Sequence, residues 1–166
     1  MRKNTYENRL VNIATNLGLY VIMLLGLVLY ASESMAQRYM NRSFAEDIKT
    51  IQSYLNSNQL DYPVLKMGTD DRVTISFDWM SHDFKHLAYR VRYCDADWTL
   101  SELTEMEYLE GLNEVVIEDP VMSMNTTFDY SHYEFTLPHE EMRLTLPGNY
   151  VVQVFDTDEP SSILMT

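Results

Sequence analysis

Residues 87–93 read Leu-Ala-Tyr-Arg-Val-Arg-Tyr, with a large apolar side chain at every second position from Leu87 to Tyr93. Side chains along a β-strand point alternately to its two faces, so these apolar residues share one face and the arginines lie on the other. A period of two with one apolar face predicts a half-buried β-strand.

The same alternation recurs at intervals along the chain. With less regular apolar runs it gives about seven predicted strands, at 48–54, 62–67, 73–77, 87–93, 115–117, 132–137 and 150–154. The acidic stretch 99–111 lacks this order and has room for one helical turn. Many short strands separated by turn residues are typical of an all-β protein. We therefore predict an immunoglobulin-like antiparallel β-sandwich.

Two stretches near the end of the sequence bear on this fold. Leu146-Pro147-Gly148-Asn149-Tyr150, followed by alternating valines, is typical of the start of a late strand in such sandwiches. Pro160-Ser161-Ser162 predicts a turn, and Ile163-Leu164-Met165 predicts a further strand that stops at Thr166. A buried strand rarely ends without a partner, so we expect this chain to be the N-terminal piece of a longer protein.

The first 36 residues have the three regions of a secretory signal peptide. Basic residues at the start precede an uncharged run of 15 residues, 17–31, and the small-x-small sequence Ser34-Met35-Ala36 follows. The alternative is a retained membrane anchor, since the uncharged stretch extends from 10 to 32. Its dense apolar part is shorter than the about 20 residues that a spanning helix needs.

The predicted organisation therefore has three parts. Residues 1–36 form the signal peptide, 37–47 an N-terminal lead, and 48–166 a sandwich domain truncated at its C-terminal end. Removing 1–36 leaves nine basic and 23 acidic residues, a net charge of −14. Nucleic acids and anionic lipids attract basic surfaces, so the charge argues against both. It is compatible with a soluble periplasmic domain and with a basic protein partner, and excess acid is also a common device for solubility.

The sequence contains no recognisable catalytic or phosphate-binding motif. His82 and His86 lie in a predicted turn, where a spacing of four does not make a metal site. The only cysteine, Cys94, excludes an intramolecular disulfide and is expected to be a small buried residue. Trp79 and Trp98 could form a carbohydrate platform or belong to the core. We predict no catalytic residue, metal site or cofactor.

Two strings of residues are less generic. They are Tyr-Cys-Asp-Ala-Asp-Trp at 93–98 and Glu-Tyr-Leu-Glu-Gly-Leu-Asn-Glu at 107–114. Together with the stretches 48–52, 62–64, 130–133, 138–143 and 148–150, in that order, they resemble the N-terminal domain of the type IX secretion system plug proteins of Bacteroidetes. The resemblance covers about 48 to 165, and the second half expected of a full plug protein is absent.

The resemblance implies an exported, non-enzymatic β-rich protein in the periplasm. Such a protein would bind the outer-membrane translocon barrel, occlude its periplasmic opening, and associate with the membrane only through that partner. It would have no cofactor and no small-molecule substrate. The alternative is a carbohydrate-binding or accessory β-sandwich domain of a larger secreted protein.

The residues of the shared motifs either maintain the fold or contact the partner. They are Tyr93, Cys94, Asp95, Asp97, Trp98, Tyr108, Gly111, Asn113, Gly148 and Tyr150. If they maintain the fold, Trp98 caps the core and is largely buried. Asp95 or Asp97 then accepts backbone N–H groups in an Asx turn, and Gly111 adopts a positive φ.

The export signal predicts a mature protein that begins at Gln37, because cleavage follows the small residue Ala36. Sequencing the N-terminus of the periplasmic protein, together with its intact mass, should show this end. Full-length protein in the inner membrane would contradict the prediction.

Overall fold

Two four-stranded antiparallel sheets form the frame of the protein. The computed structural model describes residues 17, 18, 20, 23 and 39–166. The predicted cleavage site after Ala36 and the remainder of the predicted signal peptide lie outside these described residues. Among the described residues, no helix combines the length and the apolar character needed to cross a membrane.

From Tyr39 onward the described chain forms ten strands and one short helix. The strands are β1 Ile48–Leu55, β2 Val73–Trp79, β3 Leu87–Cys94, β4 Leu109–Gly111, β5 Glu114–Val116, β6 Val121–Met122, β7 Ser131–Leu137, β8 Met142–Leu144, β9 Asn149–Asp156 and β10 Glu159–Met165. The helix α1, Glu105–Tyr108, confirms the predicted helical turn.

The order of the strands confirms the predicted antiparallel sandwich. The first sheet runs β1-β2-β7-β6, the second runs β10-β9-β3-β5, and β4 and β8 form a separate two-stranded ribbon. Strands β1, β2 and β7 thus occupy the positions of strands A, B and E in an immunoglobulin fold, and β3, β9 and β10 those of C, F and G. Four of the strands have only two or three residues, which is why sequence patterns did not reveal most of them.

The core lies between the two sheets and is rich in aromatic rings. Phe77 in β2 stacks on Tyr133 in β7, with ring centroids 5.1 Å apart. Tyr89 in β3 stacks on Phe135 in β7 at 4.1 Å and so joins the two sheets. Because stacking adds to the free energy gained from burying the rings, the first pair strengthens the first sheet and the second is a strong link across the sandwich.

The segment that precedes β1 covers the free edge of β10. Arg42 N–H donates to Thr166 O at 2.7 Å, and Thr166 N–H donates back to Arg42 O at 2.8 Å. Phe44 N–H donates to Leu164 O at 2.8 Å. The edge of β10 is therefore partly paired, which limits association through unpaired backbone groups.

The predicted strand at 62–67 is wrong. It is part of an irregular loop, 56–72, that connects β1 with β2 and pairs with no strand in the described part of the chain. Pro63 has no backbone N–H, and Val64 N–H donates to Tyr62 O at 2.7 Å within a tight local bend. The apolar side chains of Leu60, Tyr62 and Val64 are consequently exposed.

The turn predicted at Pro160-Ser161-Ser162 is also misplaced. The chain turns at Thr157 and Asp158, and Pro160 already belongs to β10. Asp158 N–H donates to the Asp156 carboxylate at 3.0 Å and fixes this turn. A proline is tolerated there because β10 is an edge strand whose pairing shifts register between Glu159 and Ile163.

Replacing Phe77 with alanine should lower the free energy of unfolding by about 3–5 kcal/mol, because the ring is fully buried and stacked. Urea unfolding of the 37–166 domain measures the change. Val64→Ala is the control, since this exposed residue should change stability by less than about 0.5 kcal/mol. Equal effects of the two substitutions would contradict the described core.

Candidate interaction site

Most of the motif residues gather at one end of the sandwich. Tyr93 and Cys94 end β3, Tyr108 ends α1, and Gly148 and Tyr150 lie at the start of β9. The pairing of β3 with β9 brings them together, since Tyr93 lies opposite Tyr150 in the ladder.

Three tyrosine rings form the centre of this cluster. Tyr93 packs edge-on against Tyr150 at 5.1 Å and stacks on Tyr108 at 5.8 Å. Tyr108 is buried, and its hydroxyl donates to Val91 O at 3.3 Å. Burial is also the main reason that the pKa of Tyr108 is raised. These contacts give the ring of Tyr108 a structural role.

Tyr150 forms a tyrosine corner. Its hydroxyl donates to Leu146 O, four residues upstream, at 2.6 Å, as a tyrosine at the start of strand F does in immunoglobulin-like sandwiches. Burial raises the pKa of Tyr150 to about 12, so the hydroxyl stays protonated and able to donate at neutral pH. The predicted strand entry at Leu146-Pro147-Gly148-Asn149-Tyr150 therefore has a physical basis.

The ring of Tyr93 covers the backbone of Gly148, so a side chain at this position would have to displace the ring. A Cβ at this position would lie 2.6 Å from both Cε2 and Cζ of Tyr93, well inside van der Waals contact. The hydroxyl of Tyr93 donates to Pro147 O at 2.9 Å and keeps the ring in place.

Gly111 and Asn113 shape the connection between the ribbon and the second sheet. Gly111 has a φ of 103°, and a Cβ there would meet the backbone of Glu141, so the predicted positive φ is confirmed. The buried side chain of Asn113 accepts the Val91 N–H at 2.9 Å and extends the pairing of β3 beyond the end of β5. Both residues serve the fold.

The loop after β3 is a tight turn held by its own hydrogen bonds. Asp95 N–H donates to Thr99 O at 2.9 Å, and the Asn149 side chain donates to Asp95 O at 3.1 Å. Asp97 accepts the Thr99 N–H at 3.1 Å, which confirms the predicted Asx turn. Cys94 is buried as predicted, and this burial raises the pKa of its thiol.

The expectation that Trp98 caps the core is wrong. Its side chain is 44% exposed, and its backbone has a φ of 66°, a region that bulky residues rarely adopt. The turn formed by Asp95 and Thr99 sets this backbone conformation and directs the residue away from the core. Its carbonyl accepts the Tyr39 N–H at 2.8 Å. Trp79 is 5% exposed, so the two tryptophans do not form a shared carbohydrate platform.

The described residues contain no group of three or more side chains placed to hold a metal ion. His82 Nδ1 contacts the Asp129 carboxylate at 2.6 Å. Asp78 instead contacts His132 at 2.7 Å, on the first sheet. At the end of the sandwich where the motif residues gather, the side chains pack against one another and form hydrogen bonds.

Residues 48–166 match the family described as type 9 secretion system plug protein, first domain. The chain belongs to this family. The match covers the whole sandwich from β1 to β10, and it confirms the resemblance carried by the motifs. Membership gives the protein a role in type IX secretion.

A solved structure of a hypothetical protein from Parabacteroides merdae has a similar fold. It shares 31% sequence identity with this chain and superposes with a TM-score of 0.75. The superposition covers 78% of this chain and 32% of that protein, so the plug domain spans about a third of its length. No curated protein matches the chain.

Sequence motifs missed one surface of the plug domain, the stretch 112–128, in which large apolar residues are exposed. One feature of the sequence distinguishes the region that contains this surface. No lysine or arginine occurs between Tyr93 and Met142, whereas 13 acidic residues do.

Removing the hydroxyl in Tyr150→Phe should lower the free energy of unfolding by about 1–3 kcal/mol. The change deletes the hydrogen bond to Leu146 O and leaves a half-buried acceptor without its donor. Chemical denaturation at pH 7 measures the effect, and Tyr62→Phe, on an exposed ring, is the control.

The Tyr150→Phe and Tyr62→Phe variants can also be compared at alkaline pH. The raised pKa of Tyr150 means that its contribution to stability is intact below about pH 10 and is lost as the pH rises toward 12. The stability difference between wild type and Tyr150→Phe should shrink in that window. A difference that stays constant would contradict a buried, hydrogen-bonded Tyr150.

Proposed function

We propose that this protein is a non-enzymatic component of the type IX secretion system that binds the outer-membrane translocon barrel and occludes its periplasmic opening. The observation that carries the proposal is the family match over residues 48–166. Export through the signal peptide at 1–36 would deliver the domain to the periplasm, and contact with the barrel would hold it at the membrane.

The architecture of the domain supports this proposal. A plug must resist deformation, and most of the motif residues lock loops to strands rather than line a cavity. Tyr93 and Tyr150 tie the Leu146–Pro147 corner to the second sheet. The hydrogen-bonded turn at Asp95 and Thr99 fixes the neighbouring loop. A rigid surface loses little conformational freedom when it binds a partner.

The size and charge of the domain also suit a large protein partner. A stable interface buries about 1,200–2,000 Å² in total, and one face of a sandwich with its loops can provide half of that. The net charge of −14 on residues 37–166, from nine basic and 23 acidic residues, would speed docking to a basic rim. Such association weakens as salt is raised.

Deleting the gene should increase the uptake of large antibiotics that the outer membrane normally excludes, because the translocon pore would remain open. The tagged protein should also co-purify with the translocon barrel. Complementation with wild type should restore exclusion, whereas the destabilised Phe77→Ala protein should restore less. Unchanged permeability with no translocon in the purified material would leave the proposal without support.

A further inference from the structure

Large apolar side chains are exposed along the outer strands β5 and β6 and the segments next to them. We call this region the β5–β6 edge, residues 112–128. Six of its large apolar side chains are between 52% and 84% exposed: Leu112, Val116, Val121, Met122, Met124 and Phe128. Three of them, Met122, Met124 and Phe128, fall within a stretch of seven residues, and a local group of exposed apolar side chains commonly marks an interaction site.

The topology brings the two strands of this edge near each other. Strand β5 is the outer strand of the second sheet, and β6 is the outer strand of the first. Only residues 117–120 connect them, and an extended chain spans at most about 3.6 Å per residue. The two strands therefore border the same side of the sandwich.

The apolar side chains at the end of this edge stand on a loop that is held in shape. Ser123 N–H donates to Tyr130 O at 2.8 Å, and Tyr130 N–H donates to the Ser123 hydroxyl at 2.9 Å. Inside the loop, the Thr126 hydroxyl donates to Phe128 O at 2.7 Å. The loop thus presents Met124 and Phe128 to solvent in a fixed arrangement, which reduces the entropy lost on binding.

The charged side chains within the edge, Glu114, Glu118 and Asp119, are all acidic. The sequence has no lysine or arginine between Tyr93 and Met142. Glu114 pairs with Arg90 at 3.1 Å, but Glu118 and Asp119 are exposed and form no ion pair with any residue in the described part of the chain. A partner that covers this edge must supply basic groups beside an apolar surface.

A second exposed apolar group lacks this charge pattern. Leu60, Tyr62 and Val64 stand on the loop 56–72 at the end of β1, where Lys66 and Arg72 mix with aspartates. A surface of mixed charge does not favour a partner of either charge. A second copy of this chain is disfavoured at the β5–β6 edge, because two acidic edges would repel each other.

We propose that the β5–β6 edge is the surface through which the plug domain docks, and that its partner presents basic and apolar side chains. This inference rests on the proposed function and assigns the contact surface on this side of the complex. Methionine side chains suit such a site, since they are flexible and fill irregular apolar surfaces.

Site-specific photocrosslinking in cells of the native organism tests the assignment. A benzophenone amino acid replaces Met124 in one variant and Tyr62 in another, two positions that are each 84% exposed. We expect crosslinks to the translocon barrel from position 124 and none from position 62. Crosslinks only from position 62, or from position 124 to a second copy of this chain, would overturn the inference.

Binding by purified protein gives an independent measurement. The double variant Met122→Ser with Phe128→Ser should bind the isolated translocon about tenfold more weakly, as expected for loss of apolar anchors. The control, Leu60→Ser with Tyr62→Ser, should bind like wild type, and thermal unfolding should show that both variants are folded. Equal binding by both variants would overturn the assigned surface.

The two proposals fail in different ways. If wild type co-purifies with the translocon and the edge variants bind it normally, the edge is wrong and the proposed function stands. If wild type does not bind the translocon at all, the proposed function itself fails. As a further test, Glu118→Lys should weaken binding to the translocon more than Asp70→Lys does, and the difference between the two variants should be largest at low salt. Asp70→Lys is the control because it makes the same charge change at another exposed position.

Discussion

The pairing of β3 with β9 fixes both the second sheet and the end of the sandwich where the motif residues lie. It aligns Leu87–Cys94 with Asn149–Asp156 over eight successive partners. This register brings Tyr93 against Tyr150 and places Gly148 beneath the ring of Tyr93. A shift of β9 by one residue relative to β3 would exchange the faces of β9 and separate Tyr93 from Tyr150 and Gly148.

Several of the motif residues make contacts within the fold that place backbone and rings. The tyrosine corner, the glycine under an aromatic ring and the asparagine that extends a ladder each satisfy a backbone or steric demand of the fold. Residues of this kind indicate which sandwich the chain forms. The large apolar side chains of the β5–β6 edge, in contrast, are exposed to solvent.

The sequence was informative wherever a strand has a long, regular pattern. The alternation at 87–93 and 132–137 corresponds to β3 and β7, because each strand buries one face against the opposite sheet. The stretch 62–67 has similar local character but no neighbouring strand, and a local pattern cannot reveal that a partner is missing. Strands as short as β6 are defined by their partner rather than by their own composition. Trp98 was misjudged because its position depends on a turn conformation that the residue type itself disfavours.

The hydrogen bonds between Arg42 and Thr166 have a consequence for the order of folding. They join positions near the two ends of the described sandwich, so the segment before β1 cannot reach its native place until the last strand exists. Synthesis runs from the N-terminus, and contacts between residues so far apart in sequence form slowly. The cover on the edge of β10 is therefore the last part of the sandwich to form during synthesis, however early the other strands pair.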